Sequence, residues 1–179
     1  MSAMKDTSIP ASFAPLLSTT DTPGPALADL LALVGEELKA DRCFLYLRNP
    51  KTVMGRIAFC WCRDASVPNV TEPAWKTDIS IALNDPLFAA ALRTDPSIYV
   101  EDVKTADPAV VNQDFEDRTF GHRALIHAHI TEGRKLWGIL QPCVFDQPRQ
   151  WSASDRQLVE TLLPRLLPLV KAYIRQTLG

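Results

Sequence analysis

Hydrophobic positions at helical spacing begin just after Gly24. Pro25 lacks the N–H that a first helical turn leaves unpaired anyway, and Leu27, Leu30, Leu31, Val34 and Leu38 then follow on one face. The spacing predicts a helix from about Pro25 to Ala40. The period changes to two in "RCFLYLRN", where Phe44, Tyr46 and Arg48 oppose Cys43, Leu45 and Leu47. It stays two in "GRIAFCWCR", beyond the turn signal "NPKT". These segments predict a β-hairpin.

Residues 64–78, broken by Pro68 and Pro73, read as a connection. Asn84 or Asp85 is placed to cap a short helix opened by Pro86 and carried by "LFAAALR". "SIYVED" reads as a short strand, "DPAVVNQDFEDRTF" as a loop or irregular helix, and "HRALIHAHI" and "KLWGILQPCVF" as two strands joined at "TEGR".

Ser152 or Ser154 then caps a last helix. Its Leu158, Leu162, Leu163, Leu166, Leu167, Val170 and Ile174 cover more than one stripe. A face that wide predicts two covering surfaces, the sheet and a second subunit, and hence a homodimer with Leu27, Leu31, Leu162, Leu166, Leu169 and Tyr173 at its interface. Pro164 and Pro168 each cost roughly 3 kcal/mol in a helix interior, which predicts a kink or break near Thr161–Pro164. Residues 1–24, rich in Ser, Thr, Pro and Ala, read as a flexible, extended arm in which "FAPLL" is the one local anchor, and residues 25–179 as a single domain.

Composition narrows the function classes. A chain of 179 residues, 46% hydrophobic, supports one core. The formal charge of −2, from 19 basic and 21 acidic residues spread without blocks, argues against nucleic acid and anionic membranes as partners. No apolar run approaches the ~20 residues of a membrane-spanning helix, and no export signal opens the chain, so the expected location is the cytoplasm. Cys43, Cys60, Cys62 and Cys143 lack CxxC spacing and read as reduced packing thiols. Cys60 and Cys62 share a strand face, with side chains expected to diverge too far for a disulfide.

"LWGILQPCVFDQPRQWSASDRQLVETL" resembles the last strand and helix entry of phytochrome-type and cyanobacteriochrome GAF domains: a Leu-Trp-Gly strand, a cysteine near its end, a Pro-Arg-x-Trp turn and a capped helix. "ADRCFLYL" is similar to the first strand of the same family, and the element order matches over residues 27–178, although only 136–151 points to the bilin-binding branch. The resemblance implies an α+β sandwich. In it a central antiparallel sheet carries terminal helices on one face and a pocket of loops and short helices on the other.

The resemblance also implies where a bilin would attach, and both places lack a thiol. The usual cysteine and following histidine correspond to Asn112-Gln113, and the second cysteine of an Asp-x-Cys-Phe motif corresponds to Leu87 in Asp85-Pro86-Leu87-Phe88. A thioether requires a thiolate. No covalent chromophore is expected, and a bilin or other tetrapyrrole would be held without a covalent bond. The turn has a structural reading of its own, in which Pro148 fixes the chain, Arg149 bonds nearby carbonyls and Trp151 covers the helix start. Cys143 reads as packing.

A pocket between the sheet and residues 64–120 would take apolar walls from Trp75, Phe88, Tyr99, Phe115 and Phe120, with Arg123, His127 or His129 as polar anchors; alternatively the aromatics fill that space themselves. On a strand, His127 and His129 share a face with Leu125, while His122 falls opposite with Ala124, Ile126 and Ala128. A His-x-His pair suits zinc, but in the implied strand order Cys60-x-Cys62 lies on an edge strand several places away. Strands ~4.8 Å apart cannot bring the two pairs onto ~2 Å bonds, so no metal is expected. Asp41-Arg42 reads as structural, and Asp102, Asp107, Asp114, Glu116 and Asp117 as a solvated acidic loop without EF-hand spacing.

No nucleophile elbow, phosphate-cradling glycine loop or HExxH motif is present. The expectation is a non-catalytic, stand-alone regulatory protein acting by homodimerisation and contact with an unidentified protein partner. The alternatives are a small-ligand sensor and, with an exposed thiol of lowered pKa, a cysteine redox enzyme.

Overall fold

A computed structural model describes residues 9–178. Six strands form one sheet: β1 (Arg42–Asn49), β2 (Met54–Cys62), β3 (Lys76–Thr77), β4 (Ile98–Val100), β5 (Ala124–Glu132) and β6 (Lys135–Val144). Their order is β3-β2-β1-β6-β5-β4, and every neighbouring pair is antiparallel. The two-residue β3 is outermost but pairs only with Met54 and Gly55, so the stretch of β2 that bears Cys60 and Cys62 has no strand on that side.

Helices α1 (Ala14–Leu17), α2 (Pro23–Glu37) and α5 (Ala153–Leu178) pack with Cys43, Leu45, Leu47, Ile126, Ala128 and Leu140 on one face of the sheet. On the other face Phe44, Tyr46, Leu125 and Ile139 meet α3 (Pro86–Leu92), near which lie α4 (Gln113–Thr119) and a short 3-10 turn, Ile81–Leu83. The alternation in β1 thus feeds two cores, and almost the whole strand is buried. Where α2 crosses β2, a Cβ on Gly35 would lie 2.2 Å from the Trp61 ring. Only glycine permits that approach.

The broad stripe of α5 is covered within one chain. Leu158, Leu162, Leu163, Leu166, Leu169, Val170 and Ile174 are buried among the sheet and helices α1 and α2. Leu27 and Leu31 are buried with them, so five of the six residues expected at a dimer interface belong to the internal core. Tyr173, the sixth, is half-buried, with its ring 5.0 Å from Phe59 and its hydroxyl accepting a hydrogen bond from Arg56 Nη2 at 2.8 Å. Periodicity reports that a helix face must be covered; it does not distinguish a neighbouring helix from another subunit.

Two further expectations change. α5 does not break: it runs through Pro164 and Pro168, both exposed. The carbonyls those prolines leave without a helical donor one turn back belong to Glu160 and Pro164, both exposed residues. Of the expected arm, residues 1–8 lie outside the described residues, whereas Ile9, Phe13 and Leu17 are buried against the terminal helices. "FAPLL" pins the segment, Phe13 closing a 3-10 turn and Ala14–Leu17 forming α1, so residues 9–17 are packed helical turns instead of an extended arm.

The Pro-Arg-Gln-Trp turn holds elements together. The Arg149 backbone N–H donates to Glu101 O at 2.9 Å, its guanidinium lies 4.8 Å from the centre of the Trp151 ring, and Trp151 Nε1 donates to Val100 O at 3.1 Å. The Arg149 guanidinium reaches the Asp155 carboxylate rather than a carbonyl, at 3.2 Å. Ser152 and Asp155 exchange reciprocal 3.0 Å bonds as a capping box at the start of α5.

Candidate ligand cavity

Between the sheet and the segment leading to α4 lies a cavity of about 350 Å³. Its floor consists of alternate strand residues: Phe44 and Tyr46 from β1, Ile57 from β2, Ile139 and Gln141 from β6, and His127 from β5. Phe88 of α3 and Phe115 of α4 close it with Phe120, while Ser80 and Ile81 wall one side. The aromatics contact one another without filling the space. Phe44 stacks on Phe120 at 5.3 Å, Tyr46 meets Phe88 edge-on at 5.6 Å, and Phe115 meets Phe120 at 6.2 Å.

Side-chain caps set the two short helices above this floor. Asp85 Oδ1 accepts from the Leu87 N–H at 3.0 Å at the start of α3, and Asn112 Oδ1 accepts from the Phe115 N–H at 3.2 Å at the start of α4. Asn112 Nδ2 also donates to Asn84 O at 2.9 Å, which ties the two helix starts together. The edge of the cavity is anchored at Asp78, a fully buried carboxylate that accepts from Arg48 Nε at 2.7 Å and from the Tyr46 hydroxyl at 2.9 Å. Burial, together with Asp78 alongside, holds the Tyr46 phenol above its ordinary range and keeps it a donor.

Four residues expected in the pocket line the cavity: Phe88, Phe115, Phe120 and His127. The other four do not. Tyr99 pairs with Ile126 in the β4–β5 ladder and so faces α5, where its hydroxyl donates to Glu160 at 2.7 Å. Trp75 packs toward the helix-side core beneath the Arg56 guanidinium, 5.3 Å away. Arg123 is committed to Asp102 through bonds of 2.6 and 3.0 Å. His129 lies one pleat beyond the cavity and supports His127 from behind.

The histidines form two separate arrangements. His129 Nδ1 is 2.7 Å from Asp95 O, and its Nε2 is 2.9 Å from His127 Nδ1. A carbonyl only accepts, so the His129 proton is on Nδ1. Burial holds both rings below the ordinary imidazole range, and both are neutral near pH 7. His129 Nε2 is then bare and accepts from His127 Nδ1–H, which leaves His127 Nε2 as an acceptor. His122 precedes β5 and escapes its alternation. It turns to α4, with Nε2 2.6 Å from Glu116 Oε2 and its ring stacked on Phe120 at 5.3 Å.

Sequence reasoning missed Tyr46, Gln141, Asp85 and Glu116 as cavity residues. A glutamine inside the apolar run of β6 was the available signal for one of them. Burial and the nearby Glu116 push the Asp85 carboxyl up to about 7, while burial and Asp117 push Glu116 up to about 8. Both titrate near neutrality at the wall of the cavity.

None of the four cysteines lines it. Cys43 and Cys143 are fully buried in the two cores, and Cys60 is pushed up to about 11 by burial. Cys60 and Cys62 share a face, and their sulfurs lie in a 3.8 Å thiol–thiol contact as free cysteines. Among the described residues no three metal-ligating side chains cluster, and no helix is long and apolar enough to cross a membrane.

Residues 23–166 match the sequence profile of the GAF domain family. No curated protein matches the chain. The fold is similar to that of a phycoerythrobilin-bound GAF domain from a cyanobacterial phytochrome, with TM-score 0.73 and 13% identity, covering 98% of this chain and 100% of that one. It is also similar to the GAF domain of an Acinetobacter phosphoenolpyruvate-protein phosphotransferase, with TM-score 0.69 and 14% identity, covering 98% of both chains. GAF3 of Slr1393 from Synechocystis sp. PCC6803, in its photoproduct state, is 26% identical with TM-score 0.62, over 89% of this chain and 97% of that one.

Proposed function

The chain belongs to the GAF domain family, a family of regulatory and sensory domains, and from that premise we propose that it is a non-catalytic sensor whose cavity takes a small, largely aromatic ligand without a covalent bond. The observation that carries this reading is the unfilled space of about 350 Å³ enclosed by four phenylalanines and Tyr46, with His127, Gln141, Asp85 and Glu116 converging on it. That volume is toward the small end of ligand pockets, which run from about 300 to 1,000 Å³. The four unpaired thiols suit a reducing compartment such as the cytoplasm.

A non-covalently held tetrapyrrole is the larger-ligand form of the same reading, supported by the likeness to the phycoerythrobilin-bound domain. The cavity volume of about 350 Å³ favours a smaller ligand, and the chemistry at the attachment positions favours non-covalent binding. Leu87 is buried inside α3 and Asn112 is engaged as a cap, so the two positions that correspond to attachment thiols offer none and neither lines the cavity floored by Phe44, Tyr46 and His127. Output would pass to a protein partner through the turn bearing Ile79 and Leu83, the two exposed large apolar side chains among the described residues, since Ser80 and Ile81 between them touch the cavity.

Absorption spectroscopy and intact mass, on protein produced together with a bilin-synthesis pathway and separately titrated with the neutral dye N-phenyl-1-naphthylamine, test this. We expect dye binding and an unmodified mass. Added mass with a band that survives denaturation would establish covalent attachment and overturn the reading.

A further inference from the structure

Polar capacity in the cavity remains unused by the fold. His127 is 3% exposed, and its Nε2 makes no hydrogen bond to any described residue. Gln141, 4% exposed, lies across from it in the β5–β6 register, and its side-chain amide makes none either. Both residues are buried, yet their unpartnered polar atoms open onto the cavity, and two such groups side by side on its floor mark a place where a ligand completes the bonding. Asp85 and Glu116 line the same space, with Asp85 Oδ1 capping α3 and Glu116 Oε2 2.6 Å from His122 Nε2.

The sign of this lining is acceptor-rich. His127 Nε2 is an acceptor by the chain of bonds that begins at the Asp95 carbonyl and passes through His129. Carboxyls supply further acceptors as they ionise. The one cationic side chain among the lining residues, Lys76, is largely exposed, with its Nζ 3.4 Å from Glu72 Oε2. An anionic ligand would meet a bare imidazole nitrogen and three carboxyl side chains, Glu72, Asp85 and Glu116, against a single lysine. A cationic or N–H-bearing ligand would meet partners, and Phe44, Phe88 and Phe120 offer aromatic surface for the rest of it.

We propose that the cavity selects a compact aromatic amine, whose nitrogen donates to His127 Nε2 and Gln141 Oε1 beneath Asp85 and Glu116, and that it rejects carboxylates and phosphates. This inference rests on the ligand-binding reading above and adds the chemical class. His127 is its specificity-determining residue, with His129 a positioning residue that sets the tautomer.

The test is displacement of N-phenyl-1-naphthylamine by tryptamine, indole and indole-3-acetate, three forms of one ring system with cationic, neutral and anionic character. Tryptamine is expected to compete at concentrations at least tenfold below indole-3-acetate. Its advantage over indole is expected to narrow in Asp85→Asn, which keeps an α3 cap, and its affinity to fall severalfold in Gln141→Leu. Dye binding with indole-3-acetate competing as well as tryptamine would overturn the amine class and leave the cavity reading standing. Absence of dye binding, in protein with native circular dichroism, would overturn both.

Discussion

His127 Nδ1 lies 2.9 Å from His129 Nε2, and that contact orders the protons of both rings because His129 is tied at its other nitrogen to the Asp95 carbonyl. Both imidazoles therefore carry hydrogen on Nδ1. Long-range proton–nitrogen correlation spectra should show two Nδ1–H tautomers at pH 7.5, and His129→Ala should remove that constraint on His127. An Nε2–H signal from His127 in the native protein would contradict the assignment of an acceptor at the cavity.

Asp78 joins Arg48 and Tyr46 where the chain turns from β3 toward the cavity wall. Asp78→Ala leaves a largely buried guanidinium without its carboxylate, which costs about 3–5 kcal/mol when a buried pair loses one member. Asp78→Asn, which preserves an acceptor for the Tyr46 hydroxyl, should cost less. Urea unfolding monitored by tryptophan fluorescence gives both values. Equal and negligible losses would show that the anchor contributes little.

The raised carboxyls set a direction for stability against pH. Asp85 and Glu116 hold their protons more tightly folded, up to about 7 and about 8, than the unfolded chain does near its ordinary values. Their stabilisation is complete below the unfolded values and is lost as pH rises through the folded ones. His127 and His129, held below the ordinary range, act oppositely as pH falls below about 6.5. Above 6.5 the carboxyls govern, with Asp117, Arg42 and His122 as the charged or titratable neighbours of Glu116. Stability should decline by on the order of 2 kcal/mol between pH 6.5 and 8.5, and Asp85→Asn with Glu116→Gln should flatten that slope.

Long periodic elements were legible from sequence and short ones were not. The alternation of Phe44 and Tyr46 against Cys43 and Leu45 located β1 and its two faces, and the Ser152 or Ser154 cap located the start of α5 to within two residues. Tyr99 was misplaced because the face of a three-residue strand is set by its pairing with Ile126 rather than by its own pattern. Gln141 and Asp85 were missed for related reasons: one hid in an apolar run, the other served visibly as a cap, and neither reveals a cavity until α3 lies over the sheet. The strand order came with the family resemblance, since periodicity contains no information about which strands are neighbours.

Isoleucines on both sides of the sheet allow the central claim to be tested by one measurement. Ile57, Ile81 and Ile139 line the cavity, whereas Ile126, Ile130 and Ile174 belong to the helix-side core. Methyl spectra of isoleucine-labelled protein, titrated with N-phenyl-1-naphthylamine, should shift the first three signals and leave the second three in place. Saturating dye with Ile57, Ile81 and Ile139 unmoved would contradict the account, because a ligand cavity on this face cannot fill without changing the methyls that line it.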